Sequence, residues 1–132
     1  MAEAQTKLTP QQKIDMARKA LDGANRGEVN PEGFAPDAVM RGSLVPEVRG
    51  RAAVATALNE VPKRFEEFRQ EPHAILADND HVVALINLTV KPKGGQRVQA
   101  QQVLVVHNND KGQITEMWAM IEPEALKKIQ GR

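Results

Sequence analysis

Residues 97–121 read RVQAQQVLVVHNNDKGQITEMWAMI, two largely apolar runs on either side of Asn109-Asp110-Lys111-Gly112. Asn, Asp and Gly favour the tight turns that join antiparallel strands, so the segment predicts a hairpin with strands over 97–107 and 113–121. One parity of this hairpin collects Gln101, Val103, Val105 and His107 beside Ile114, Glu116, Trp118 and Met120. The other collects Leu104 and Val106 beside Thr115, Met117, Ala119 and Ile121. Both faces are substantially apolar, whereas an antiparallel sheet exposed on one side shows a single apolar face. Two covers are needed. The expectation is that helices cover one face and a second copy of the chain covers the other, giving a homodimer through the outer sheet face.

Upstream of the hairpin, residues 81–90 read as a strand set off by the turn cluster Asp78-Asn79-Asp80, and Pro92-Lys93-Gly94-Gly95 makes the next connection. Residues 68–77 read as a further strand in which Pro72 favours an edge position, because proline lacks an amide donor. Val54, Leu58, Val61 and Phe65 recur at helical spacing, and Pro62 should kink or restart that helix. Residues 37–43 suggest a first strand, followed by a loop through 46–50. Asn30-Pro31-Glu32 opens a short helical turn. Thr9-Pro10-Gln11-Gln12 has the pattern of a helix start, with Thr as cap and Gln at the reciprocal capping position. Ile14, Ala17, Leu21 and Ala24 then form an apolar stripe, with Gly27 as the stop. Glu122-Pro123-Glu124 starts a C-terminal helix. Helices followed by a run of strands make an α+β architecture, with a flexible tail over 1–8 and a single domain over 9–132.

Composition narrows the function. Eighteen Lys/Arg against 17 Asp/Glu leave a formal charge of +1 across 132 residues, far from the basic surplus of a phosphate-neutralising protein. Phe34, Phe65, Phe68 and Trp118 are the only aromatic residues, too few for the stacking platforms of single-stranded nucleic acid. No nucleic-acid partner is expected. Cysteine is absent, which excludes disulfides and thiolate chemistry, and His73, His81 and His107 show no metal-ligand spacing. The longest apolar runs, Val82 through Ile86 among them, are far shorter than the roughly 20 residues of a membrane span. A soluble, cytoplasmic protein without membrane contact is the expectation.

Four stretches taken in order, ALDGANRGEVNPEGFAPDAVMRG, VRGRAAVATAL, HAILADNDHVVALINLTV and VLVVHNNDKGQITEMWAM followed by PEAL, resemble the SnoaL-like domains of the nuclear transport factor 2-like superfamily. The resemblance implies a cone: N-terminal helices folded over a strongly curved, mostly antiparallel sheet, with a pocket at the mouth. It also implies an apolar ligand (polyketide, steroid or terpenoid-like) and, in the enzymes, acid–base isomerase, cyclase or dehydratase chemistry without cofactor or metal. The family's acids do not map cleanly. Arg41 and Gly42 stand where a catalytic base is expected on the first strand, and Met120 stands where epoxide hydrolases of this fold carry an acid two residues beyond the Trp. Leu104 occupies the place of a frequent histidine, and there is no tyrosine.

Three residues remain as catalytic candidates. Asp37 could serve as a pocket base or as a turn residue after Pro36. Glu116 could face inward or form a surface ion pair. His107, if inward, would be a proton carrier effective near neutrality. Met40, Val103, Trp118 and Met120 are expected to line the hollow, with Asn87 and Gln101 as polar contacts for a ligand. The alternative is a non-catalytic ligand-binding or dimerisation module.

Overall fold

The computed structural model describes residues 8–131; the expected tail over 1–8 lies outside the described residues except for Leu8. Thr9 caps helix α1 (Pro10–Asn25) through a reciprocal capping box, its hydroxyl accepting from Gln12 N while Gln12 Oε1 accepts from Thr9 N. Gly27, at φ 70°, turns the chain away from α1 as expected. Asn30 then caps the short 3₁₀ turn Pro31–Gly33.

Strand β1 (Phe34–Gly42) begins earlier than the sequence pattern suggests, and the expected loop contains a two-residue strand, β2 (Val48–Arg49). Helix α2 (Arg51–Glu60) stops ahead of Pro62, which opens a 3₁₀ turn, Pro62–Arg64. Phe65, expected as the last contact of that helix, instead starts β3 (Phe65–Ala77). Proline removes a helical amide and the chain restarts as an edge strand. Strands β4 (His81–Pro92), β5 (Val98–Asn108) and β6 (Ile114–Ile121) follow, then α3 (Pro123–Ile129).

The six strands form one sheet in the order β2-β1-β6-β5-β4-β3. All neighbours are antiparallel except β1 and β6, which run parallel and join the start of the chain to its last hairpin. Pro72 lies on edge strand β3, next to a register shift between Pro72 and Ala74. Residues directly opposite in register share a face. Met40, Met117, Val106 and Val82 therefore form one row facing the helices, and Ile121, Gln102, Ile86 and Pro72 form another. Arg41, Trp118, Val105 and Val83 form a row on the opposite, outer face.

The parity expected from the sequence is thus reversed in the hairpin. The buried core of the helix-facing side includes Phe34, Ala38, Met40, Val54, Val82, Val106 and Met117, continuing through Ala84 and Ile86. A second cluster under α3 joins Leu88, Val90, Val98, Ala100, Ile121, Ala125 and Ile129. Of the described helices, none is long and apolar enough to cross a membrane.

Candidate functional site

Between α1, α2 and the inner face of the sheet lies a cavity of about 550 Å³, within the range of small-molecule sites. Its wall is mostly apolar: Leu21 and Ala17 of α1, Leu58 of α2, and Met40, Leu104, Val106, Met117 and Ile121 of the sheet. Glycine helps to shape it. A Cβ at Gly42 would approach Ala119 O at 3.2 Å and Val45 Cγ2 at 3.4 Å, so the bare backbone keeps the β1–β6 contact tight. The cavity opens to solvent beside Met16, which is 48% exposed.

Polar groups interrupt this wall, and among the described residues three of them are buried: Lys13, Gln70 and Gln102. Lys13 is 5% exposed, and its ammonium donates to the carbonyl oxygens of Asp78 (3.4 Å) and Asn79. Those carbonyls belong to the β3–β4 turn, so the amine stitches α1 to the sheet in place of a carboxylate partner. Gln102, 6% exposed, projects from β5 with its Oε1 unpaired. Asn108 Oδ1 is also unpaired, while its Nδ2 donates to Gly112 O at 3.5 Å. A buried amide oxygen without a partner costs about 1–3 kcal/mol, so two on one cavity wall are an investment in something other than packing. Glu28 is the only carboxylate among the described lining residues; it is exposed and paired with Arg26 at 2.9 Å.

The residues expected to carry chemistry lie elsewhere. Asp37 is exposed in the irregular start of β1. Glu116 sits on the outer face, 3.1 Å from Arg41 Nη1, which also binds Glu47 through Nε at 3.0 Å. That is the surface ion pair weighed above. His107 faces outward as well, stacked on His81 with ring centroids 4.8 Å apart and its Nδ1 3.5 Å from Thr115 Oγ1. Among the described residues no group of three or more His, Asp or Glu is placed to hold a metal ion.

Of the six expected ligand contacts, Met40 alone lines the cavity, where it is fully buried. Trp118, Met120, Val103, Asn87 and Gln101 project from the outer face instead. Arg41 Cζ lies 5.8 Å from the Trp118 ring, Val103 and Met120 are 41% and 44% exposed, and Gln101 Nε2 donates to Asn87 Oδ1 at 3.0 Å. The physical reason is the two-residue period of a strand: a reading off by one residue exchanges the faces entirely. The missed residues are Lys13, Gln102, Asn108 and Met117. A usable signal lay in β4, where one parity holds Val82, Ala84, Ile86, Leu88 and Val90 without a polar residue and the other mixes Val83 and Leu85 with His81, Asn87, Thr89 and Lys91. Register then carries the apolar parity to Gln102 and the polar parity to Gln101.

The SnoaL-like domain family matches residues 17–117. No protein of curated function matches by sequence. Solved structures of the same fold include an LEH-like epoxide hydrolase from Mycobacterium tuberculosis, at TM-score 0.74 and 21% identity over 90% of this chain and 89% of that one. SalBIII, an epoxide hydrolase/cyclase-like enzyme of pyran ring formation in the polyether salinomycin, aligns at TM-score 0.72 and 21% identity over 87% and 94%. A protein of ketosteroid isomerase-like fold from Catenulispora acidiphila, in complex with trimethylamine, aligns at TM-score 0.75 and 15% identity over 94% and 95%. At these identities the likeness is one of fold. With helices over a curved sheet, a cavity between them and a family match over residues 17–117, this chain belongs to the SnoaL-like domain family.

Proposed function

We propose that the protein binds a mainly apolar small molecule in the cavity between its helices and sheet, and that it does so without acid–base catalysis. The observation that carries this reading is the lining: an apolar wall interrupted by amides and by basic side chains, with Glu28 as the one carboxylate among the described lining residues, ion-paired to Arg26, and with Asp37, Glu116 and His107 all outside it. Proton transfer at a bound substrate needs a group within hydrogen-bond reach. The amides of Gln102 and Asn108 can orient a ligand but have no proton to exchange near neutrality. The epoxide hydrolase and cyclase activities named for structures of similar fold are the alternative, for which this wall supplies no carboxylate at depth.

Methyl-labelled methionine provides the test, because the chain has five methionines. Met16, Met40 and Met117 line the cavity, and Met120 lies on the far side of the sheet. Titration with a panel of steroids, terpenoids and fused-ring alcohols should shift Met40 and Met117 and leave Met120 in place. A panel that shifts none of the cavity methyls sinks the reading. Turnover of a steroid enone or a terpene epoxide, lost in a Met40→Trp variant that fills the cavity, would replace it with the enzyme reading.

The proposed partner for the outer face is a second copy of the chain. Val103, Val105, Trp118 and Met120 form its apolar centre, and Arg41, Glu47 and Glu116 supply both charges beside it. A two-fold interface must be self-complementary, which a patch carrying both signs satisfies. Light scattering on the wild type should give the dimer mass and Met120→Lys the monomer mass; a monomeric wild type at micromolar concentration rejects the interface.

A further inference from the structure

Among the described residues, Gln102 and Gln70 are the two buried glutamines on the cavity wall, and of the two it is Gln102 whose side-chain oxygen is enclosed without a partner. It is flanked in register by Ile86 and Ile121, both buried, and followed on its own face by Leu104 and Val106. A leucine or methionine would fill the same space, yet an amide stands there with its oxygen unpaired. Its neighbour Gln101, by contrast, is exposed and satisfied by Asn87. Asn108, the other unpaired acceptor, lies six residues further along the same strand face, about 20 Å away at the rise of an extended strand. No single polar head group can meet both. Asn108 adjoins the open side, next to Gly112 and near Met16, whereas Gln102 lies within the apolar part of the wall.

Resting on the apolar-ligand reading above, we infer that Gln102 is the specificity-determining polar anchor of the cavity. Its amide oxygen accepts a hydrogen bond from a hydroxyl or N–H group on the buried end of an otherwise apolar ligand. The ligand class is therefore a fused-ring or terpenoid-like alcohol or amine, in preference to the ketone, ether or hydrocarbon of the same skeleton. The physical basis is asymmetric. A donor restores the partner that the oxygen lacks, while an ether or ketone brings a second acceptor against it. Lys13 does not compete for this role, because its ammonium is already engaged by the carbonyls of Asp78 and Asn79.

The test uses 2-decalol, its methyl ether and 2-decalone, with Met40 and Met117 methyl shifts as the readout of cavity binding. In the wild type the alcohol should bind about tenfold more tightly than the ether or the ketone, the size of one good neutral hydrogen bond. The Gln102→Met substitution conserves volume and should remove that preference, lowering alcohol affinity about tenfold while leaving ether affinity within about twofold. Should that variant fail to fold, the wild-type protein labelled with ¹⁵N-glutamine gives a second readout. The Gln102 side-chain amide should move with the alcohol, and the exposed Gln101 amide should not. Equal affinities for alcohol, ether and ketone, or a ketone preference, overturn the anchor while the cavity reading stands. Cavity methyls that respond to none of the three overturn both.

Discussion

Gln101 and Gln102 are the same side chain at adjacent positions, and their fates differ only because successive strand residues point to opposite faces. Lys13 shows a similar dependence on place. It lies one residue before the apolar stripe that starts at Ile14, yet it is buried because the β3–β4 turn offers it two carbonyl oxygens. Lys13→Met should keep the aliphatic stem and strand those carbonyls, lowering stability by about 1–3 kcal/mol in denaturant unfolding. Asp78, in the same turn, is held below its usual carboxylate range of 3.8 by the backbone amides of Asp80 and His81, with His81 adding a smaller attraction. A lowered folded-state value means that the stabilisation is present above the unfolded carboxylate's pKa and lost as pH falls through the folded one. Asp78→Ala should therefore be less stable than the wild type at pH 7. The two thermal unfolding midpoints should converge as acidification protonates the folded carboxylate; a difference that does not shrink as pH falls would show that the carboxylate's charge is not what holds the turn.

Among the elements, the sequence was most informative where a local chemical device sets a boundary. Thr9 and Gln12 form the capping box their spacing implies, and Thr9→Ala should cost about 1 kcal/mol, read as a lower denaturant midpoint with an unchanged slope. Gly112 closes the last hairpin at φ 80°, a left-handed conformation that strains any residue with a Cβ, and a Cβ there would displace the tip of the Leu8 side chain. Gly112→Ala therefore strains the backbone and should lower the melting temperature by several degrees, about 1–2 kcal/mol. Pro62 was expected to kink or restart α2; instead the helix stops at Glu60 and the stripe does not continue to Phe65, because a proline and a sheet edge outcompete a spacing pattern. The short strand β2 left no pattern at all: two residues show no alternation, and only β1 alongside them makes Val48–Arg49 a strand.

At the scale of the whole molecule, the position of Trp118 separates the two proposed interactions. On the outer face beside Arg41, it should report association of two copies and be nearly blind to a ligand in the cavity. Diluting the protein below its dimer affinity should red-shift the emission as the indole meets water, whereas saturating the cavity should leave the spectrum within a few nanometres of its starting point; the opposite pattern would place the ligand outside. The architecture itself was legible in the chain, since turn residues, proline positions and two-residue or helical periods act within a few neighbours. The site was legible only as the existence of a hollow. Which parity faces that hollow depends on the register between β4, β5 and β6 and on the parallel pairing of β1 with β6, contacts between segments as far apart as Met40 and Met117. Local chemistry determined by the sequence alone sets helices, turns and strands in order. The face each side chain of β5 and β6 presents was decided by tertiary pairing, because those strands carry apolar residues on both sides, and the more one-sided alternation of β4 reaches them only through register.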